Sequence, residues 1–190
     1  MRPDLLLAYA DLVEASQPSI AYCREYGIDF AATVPACGGV FLAEVEPHGR
    51  TFEPREGAAI AAWCEALAED AETVLDVVAW PVEQPAHWWT LSGFAPALGM
   101  AHAINGATYS FGGALHLHRT PLAWLQAGCN GAVILDPSVG ARWLLDLPAP
   151  RIAAEDDAHA CEIMRARQAL TERQTIVVPQ GRRQPDREAA

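Results

Sequence analysis

Hydrophobic and polar positions follow their most regular pattern over residues 115–137, which read LHLHRTPLAWLQAGCNGAVILDP. Leu115–His118 alternates between apolar and polar side chains, as a half-buried strand does. The threonine–proline pair at residues 120–121 is typical of a helix start, and Gly128 is a typical helix stop. Residues 132–135 are wholly apolar, which indicates a strand covered on both faces. The pattern therefore predicts a strand, a short helix and a second strand.

The same alternation of helix and strand continues to about residue 170. The pattern predicts a helix over residues 139–145, a strand over residues 151–154, and a helix over residues 158–170 that is capped by Asp157. About a dozen residues separate the first two strands, which is the length that a parallel crossover needs. The second half is therefore predicted to be a partly parallel layer of strands and helices.

The first half has a different pattern. Residues 4–15 predict a helix, and residues 40–46 and 50–53 predict an antiparallel hairpin across a proline–glycine turn. Residues 58–68 have large apolar side chains at helical spacing and predict an amphipathic helix. The β-branched run over residues 74–80 predicts a central strand.

Other stretches have weaker patterns. Residues 21–37 support only a short helix near Tyr22, and residues 96–104 support a short helix followed by an Asn-Gly turn. Residues 175–178 predict an edge strand. Residues 180–190 lack a large apolar residue, so this tail is predicted to be disordered.

Length and composition favour one domain. A chain of 190 residues with 51% hydrophobic and 19% charged residues is typical of a globular protein. The patterns together predict a single mixed α/β (α+β) domain over residues 1–179. Its first half contains the antiparallel hairpin, and its second half contains the partly parallel strand–helix layer.

The net charge of −11 is concentrated in the first 80 residues, which hold 14 acidic residues and 4 arginines. Residues 81–150 hold 3 acids and 2 arginines, and residues 151–190 hold seven of each. An acidic half repels phosphate backbones, which argues against direct nucleic-acid binding by that half. The charge favours an acidic face that is presented to a protein partner, and it leaves a homodimer open.

Cysteine usage and the amino-terminal sequence predict the compartment. Five cysteines, without a CxxC pair, indicate free thiols in a reducing cytoplasm. The segment MRPDLLLAYADLVEA places acids where a signal peptide needs an unbroken apolar segment. No run reaches the roughly 18 apolar residues of a membrane span. The sequence therefore predicts a cytoplasmic protein without a membrane segment.

Two histidines form the first candidate site. His116 and His118 stand two apart on a predicted strand, so their side chains share one face. Two imidazoles in this arrangement can bind a metal ion, with Asp136, His102 or Cys129 as further ligands. The alternative is a pair of solvent-facing histidines, with the neighbouring leucines directed toward the core.

Carboxylates follow two of the predicted strands. Asp136 comes after one strand, and Glu155, Asp156 and Asp157 come after the next. Parallel strands bring such residues together at the edge where open α/β sheets bind ligands, and clustered carboxylates hold Mg²⁺ for phosphoryl chemistry. The alternative is helix capping by Asp136 and Asp157.

These acidic strand ends resemble those of toprim domains, which primases and topoisomerases use. The resemblance implies phosphoryl chemistry at the strand ends. The sequence departs from the toprim pattern in two respects. No glutamate is evident after the first strand of the layer, and residues 154–160 (AEDDAHA) lack a spaced acid pair followed by glycine.

Asp76 is the third candidate, because it stands on an otherwise apolar face of its predicted strand. Burial of an unpaired carboxylate costs several kcal/mol, so a buried Asp76 needs a partner such as Arg119 or a histidine. A buried and paired acid is a candidate catalytic group. The alternative is a strand end that reaches water. Of Trp88 and Trp89, one is predicted to pack in the core and the other to be partly buried, and base stacking is disfavoured because the basic groove of a single-strand binder is absent.

Residues 118–137 and 154–163 are similar to a recurring pattern in uncharacterised bacterial proteins, which sit among mobile-element genes. This resemblance covers about a sixth of the chain and implies no catalytic residue. The function therefore has to be inferred from the chemistry of the individual residues.

Two functions follow from the residues. The first is a non-catalytic binding or accessory module in the cytoplasm. The second is a metal-dependent hydrolase or phosphoryl-transfer enzyme. In the second, Asp76, His116 and Asp136 are the catalytic candidates, and His116, His118 and Asp136 are the metal ligands. The sequence identifies no cofactor.

Overall fold

The computed structural model describes residues 3–172. They form two sheets with helices around them. The first part of the chain contains α1 (Pro3–Ala15), β1 (Gln17–Pro18), α2 (Ile20–Glu25), α3 (Phe30–Cys37), β2 (Phe41–His48), β3 (Thr51–Pro54), β4 (Ala59–Leu67), β5 (Val74–Pro81) and β6 (Trp89–Thr90). The second part contains β7 (Ala97–Leu98), α4 (Met100–Ile104), a 3₁₀ helix (Gly106–Gly112), β8 (Leu115–His118), α5 (Pro121–Gln126), β9 (Ala132–Ile134), α6 (Pro137–Asp146), β10 (Ile152–Ala154) and α7 (Asp157–Glu172).

The first sheet closes into a small barrel. Its strand order is β1-β2-β3-β6-β5-β4, and β2 also pairs with β4. Five strands therefore form a ring, and β1 adds to β2 outside it. The ring is antiparallel except where Thr51 of β3 meets Thr90 of β6 in a parallel pairing. Ring closure hides the unpaired edges that an open sheet would expose.

The barrel interior is recognisable because all five strands of the ring contribute to one buried cluster. Val45, Phe52, Trp63 and Val77 represent four of these strands, and Trp89 of β6 packs against them. The indole of Trp63 stacks on the Phe41 ring, with 4.6 Å between ring centroids. Helix α1 packs against β2 and β3 and contributes the buried Leu12 to the same cluster.

The helix predicted over residues 58–68 is wrong, because this segment is strand β4. Both faces of β4 are covered. Ala61 and Trp63 point into the barrel, whereas Ala62, Cys64 and Ala66 belong to the cluster outside it. A strand that is apolar on both faces lacks the alternation that identifies strands, and its alanines favour a helix locally. Pairing with β2 on one side and β5 on the other decides the conformation.

The second sheet confirms the partly parallel layer. Its order is β10-β8-β9-β7, and β8 is parallel to both β9 and β10. The predicted signals are present at α5: the Thr120 hydroxyl accepts a hydrogen bond of 3.1 Å from the Ala123 amide, and Gly128 has a φ of 66°. The hairpin of β2 and β3 confirms the other part of the predicted α+β class.

One buried cluster joins the barrel to the layer. Cys64 and Trp80 come from the barrel, while Leu98, Trp124 and Val133 come from the layer. This shared core places the carboxyl ends of the parallel strands beside the barrel.

Two of the weaker predictions change in detail. The short helix predicted near Tyr22 is present as α2, and residues 21–37 contain a second helix, α3, that the sequence did not indicate. The side chain of Asp29 caps α3 by accepting the Ala31 amide at 3.0 Å. In residues 96–104 only Met100–Ile104 is helical, since Ala97–Leu98 pairs with β9.

The predictions for residues 175–178 and 180–190 lie outside the described residues. All five cysteines are free thiols, and four of them are buried. None of the helices within residues 3–172 combines the length and apolar composition needed to cross a bilayer.

Candidate ligand-binding pocket

A cavity of about 720 Å³ opens between the barrel and the carboxyl ends of the parallel strands. The chain passes from β8 to its neighbour β9 and then returns across β8 to β10. Open α/β sheets bind ligands at such a change in strand order. The polar residues of the lining include Arg50, Thr90, His118, Arg119, Asp136, His159 and Glu162.

Apolar side chains make up much of the remaining wall. Trp88 lines the barrel side, whereas Leu135, Leu144 and Ile163 line the layer side. Trp88 and Trp89 are both half-buried, so the prediction that one of them is a core residue is wrong, and Trp88 packs against a buried cluster while it also lines the cavity.

Arg119 contacts three acidic residues that follow β10 in the chain. Its guanidinium donates to Asp156 at 2.7 Å and to Glu162 at 3.2 Å, and its Nε lies 3.9 Å from Glu155. The backbone amide of Arg119 also donates to Glu155 at 3.0 Å. The hydrogen bond from Arg119 lowers the pKa of Asp156. Of the carboxylates predicted to converge at this sheet edge, Glu155 and Asp156 meet around Arg119, whereas Asp136 pairs with Arg50.

Asp136 lies at the pocket with both carboxylate oxygens engaged. Oδ1 accepts from the Val139 amide at 3.1 Å, which caps α6, and Oδ2 pairs with the Arg50 guanidinium. The capping alternative is thus present together with an ion pair that joins the layer to the barrel. For α7 the capping side chain is Asp156, not Asp157, because Asp156 accepts from the His159 amide at 2.8 Å.

Asp76 is buried at 2% exposure, and backbone amides rather than Arg119 are its partners. It accepts hydrogen bonds of 2.8–3.4 Å from the amides of Val77, Ser92, Phe94 and Ala95. The carboxylate therefore holds residues 92–95, part of the pocket wall, against the barrel.

The two histidines of β8 lie in different surroundings. Both lie on the outer face of β8, as the alternative interpretation predicted, and the neighbouring leucines are buried. His118 lines the pocket, where its Nε2 donates to the Asn130 carbonyl at 2.8 Å and its Nδ1 lies 3.6 Å from Glu155. His116 is exposed and does not contribute to the lining.

Of the predicted metal ligands, the structure brings His118 and Asp136 to the pocket and leaves His116 outside it. His102 lies close enough to His116 for the two imidazoles to interact; burial first, and then His116, lowers the pKa of His102. Cys129 is buried beside Cys37. Within residues 3–172 no three His, Cys, Asp or Glu side chains are grouped so that they could hold a metal ion.

His159 is a pocket residue that the sequence analysis missed. Its Nδ1 accepts a hydrogen bond of 3.4 Å from the Glu155 amide, so the neutral ring carries its proton on Nε2. Burial, and secondarily Arg119, lowers the pKa of His159, which keeps the ring neutral near pH 7. One signal could have found it: His159, Glu162, Ile163 and Ala166 follow helical spacing and share the face of α7 that meets the pocket.

Two of the buried polar side chains among the described residues face this pocket. Residues 3–172 contain five polar or charged side chains that are buried. Three of them have partners elsewhere: Ser19 accepts from an amide, Thr33 donates to a carbonyl, and Asp76 accepts from four amides. Thr90 and His159 are each 7% exposed and line the pocket. Within the described residues, neither the Thr90 hydroxyl nor His159 Nε2 has a protein hydrogen-bond partner, and both atoms stay open to the pocket, since the one fully enclosed side-chain atom without a partner is Trp143 Nε1.

Comparisons of the chain with family models, curated proteins and solved structures gave no match in any of the three.

Proposed function

We propose that the protein is a non-catalytic binding module whose ligand occupies the pocket between the barrel and the parallel strands. The observation that carries this proposal is the pair of unpaired polar groups on Thr90 and His159. Both side chains are more than nine-tenths buried, and their free polar atoms are open to the pocket. A ligand in the pocket can therefore bond to both groups without breaking a hydrogen bond within the protein.

The arrangement of the charged groups favours binding over catalysis. Arg50 pairs with Asp136, and Arg119 pairs with Asp156 and Glu162. A carboxylate held by an arginine is a weak general base, because the ion pair stabilises its ionised form. A protein partner for the acidic first half stays a separate prediction.

A compound screen with a blocked-pocket variant tests the proposal. Thermal unfolding of the wild-type chain is measured against a panel of metabolite-sized compounds, since a ligand at 100 times its Kd stabilises a protein by about 2.7 kcal/mol. Ala166→Trp places a bulky side chain in the half-buried lining of α7, and Ala169→Trp adds the same ring at an exposed position outside the lining. We expect compounds that stabilise the wild type and Ala169→Trp but not Ala166→Trp. Equal stabilisation of both variants, or of neither protein by any compound, contradicts the proposal.

The two neighbouring acids after β10 favour a second candidate, the metal-dependent hydrolase or phosphoryl-transfer enzyme. Glu155 and Asp156 lie beside His118 and Arg119 at the edge where such enzymes hold their metal. Its test is metal analysis of untagged protein. Stoichiometric manganese or zinc that is lost in the His116→Ala/His118→Ala double variant would replace the binding proposal with this one.

A further inference from the structure

We propose that the ligand of this pocket is a neutral, flat heteroaromatic molecule of the nucleobase type, bound through hydrogen bonds to His159 and Thr90. The inference rests on the proposed binding function and specifies its ligand class.

The charges of the lining argue for a neutral ligand. Two arginines and two carboxylates line the cavity, and they are paired as Arg50 with Asp136 and Arg119 with Glu162. A phosphate at Arg50 would compete with Asp136 for the guanidinium. A cationic ligand would compete with the arginine in each pair. A ligand without formal charge leaves both pairs intact.

The unpaired groups determine where the ligand carries its polar atoms. Thr90 belongs to β6 on the barrel side, and His159 belongs to α7 on the layer side. His159 Nε2 is a donor and requires an acceptor, whereas a hydroxyl can donate or accept. The ligand therefore carries polar atoms on two different edges, at least one of them an acceptor.

The remaining wall determines the body of the ligand. Trp88 lines a cavity whose other apolar lining residues are aliphatic, among them Leu135, Leu144 and Ile163. Flat rings stack on tryptophan, and nucleobases of every type do so because each has a π-face. The cavity of about 720 Å³ lies in the range of small-molecule sites. Purines and pyrimidines combine a flat neutral ring with acceptors on more than one edge.

The test is isothermal titration calorimetry of the full chain with the four ribonucleosides, their 5′-monophosphates, and indole as a flat ring without a ring acceptor. We expect at least one nucleoside to bind more tightly than indole and no less tightly than its monophosphate. His159→Phe keeps the ring and removes the donor, so it should weaken that nucleoside at least tenfold. His159→Gln restores a donor near Nε2 and should recover part of the affinity.

Thr90→Val gives an independent measurement if His159→Phe does not fold. It removes one hydroxyl at nearly constant shape and should weaken the nucleoside about fivefold to tenfold, the effect of one hydrogen bond of about 1–1.5 kcal/mol. Thr108→Val is the matched control, because the Thr108 hydroxyl lies outside the pocket lining and donates to the His102 carbonyl at 2.7 Å. Its affinity should equal that of the wild type.

The outcomes separate the ligand class from the binding function. Monophosphates that bind tenfold better than nucleosides, or indole that binds equally well, would overturn the neutral heteroaromatic assignment. So would nucleoside binding that is unchanged in both His159→Phe and Thr90→Val. If no nucleoside binds but another compound binds and is blocked by Ala166→Trp, the ligand class is wrong and the binding function stands. If no compound binds, both proposals fail.

Discussion

The barrel and the parallel layer end their strands in different ways. In the barrel, five strands pair around a ring, and the interior is filled by side chains as large as Phe52 and Trp63. In the layer, three parallel strands end at one edge, where no further strand covers them. The difference teaches that the closed barrel contributes one wall of the pocket, with Trp88 and Thr90, whereas the open strand ends of the layer supply the larger share of its polar groups.

The two regions also use buried carboxylates and ion pairs differently. In the barrel, Asp76 accepts hydrogen bonds from four backbone amides. In the layer, Asp136 and Asp156 cap helices and pair with arginines. The barrel acid is structural, and the layer acids organise the site.

The largest expected effect comes from a variant that removes a side chain from the barrel core. Trp63→Ala removes a side chain that is 1% exposed and should lower the free energy of unfolding by about 3–5 kcal/mol. Ile60→Ala, on the same strand but 57% exposed, should cost less than about 1 kcal/mol. Urea unfolding measures both. Similar losses in the two variants would mean that the interior is assigned to the wrong face of β4.

A second variant tests the structural role of the barrel acid. Asp76→Ala leaves four amides without their acceptor and should cost about 3 kcal/mol or more. Asp70→Ala is the control, since Asp70 accepts from the amides of Glu72 and Thr73 at an exposed turn where water can replace it. Urea unfolding should separate the two clearly. A loss below about 1 kcal/mol for Asp76→Ala contradicts the account of residues 92–95.

In the layer, two glycines with positive φ differ in their surroundings. Gly131→Ala at a φ of 93° would bring its Cβ into the His116 carbonyl and should cost about 2–4 kcal/mol. Gly128→Ala at a φ of 66° meets no atom within 4 Å and should cost about 1–2 kcal/mol from backbone strain alone. Thermal unfolding compares them. Equal losses would show that the close approach of β8 to the turn before β9 is not tight.

The ion pair between the two regions should contribute little to stability. Arg50 and Asp136 have side chains that are 71% and 24% exposed, so a double-mutant cycle with Arg50→Gln and Asp136→Asn should give a coupling of about 0–1 kcal/mol. The control is the exposed pair of Arg55 and Glu46, whose residues both belong to the first sheet and its turns. Its coupling energy should also be small. A coupling above about 2 kcal/mol only for the first pair would mean that it locks the regions together.

The smallest expected effect is a pH dependence of the free energy of unfolding, which arises from one residue of the layer. The pKa of His159 is lowered by burial, so below about pH 6.5 the unfolded chain binds a proton that the folded protein does not. Stability should therefore be complete above this pH and decrease as the pH falls. His159→Gln should flatten the slope of unfolding free energy between pH 6.5 and 5.5. An unchanged slope would place the imidazole in a more solvated position.

The control for this pH dependence is Asp70, on the barrel side. Hydrogen bonds that Asp70 accepts from Thr73 and from neighbouring amides lower its pKa to about 2. Its contribution is complete above about pH 4 and is lost as the pH falls toward 2. Asp70→Asn should therefore leave the slope between pH 6.5 and 5.5 unchanged.

Sequence patterns predicted the layer well because its elements are delimited locally. The Thr120 cap, the proline after it and Gly128 act within a few residues of the chain, and the structure has α5 where they place it. The presence of acids after β9 and β10 also followed from the sequence, but the convergence of Asp136 with Glu155 and Asp156 did not, since Asp136 pairs with Arg50.

The barrel and the pocket chemistry depended on contacts that are distant in sequence. Residues 59–67 became a strand because β2 and β5 cover both of its edges and two cores cover its faces. The partners of Asp76 lie up to 19 residues away, and those of Asp136 include Arg50, 86 residues away. Local patterns cannot contain such pairings.

By itself, the sequence determined the α+β class, the elements of the layer and the positions of its acids, because caps, turns and hydrophobic periodicity act over short stretches. Tertiary structure alone decided that Arg119 lies among those acids and that Thr90 and His159 face one cavity with unpaired polar groups. Burial and pairing are set by which distant segments pack together, and that depends on the closed barrel as much as on the residues themselves.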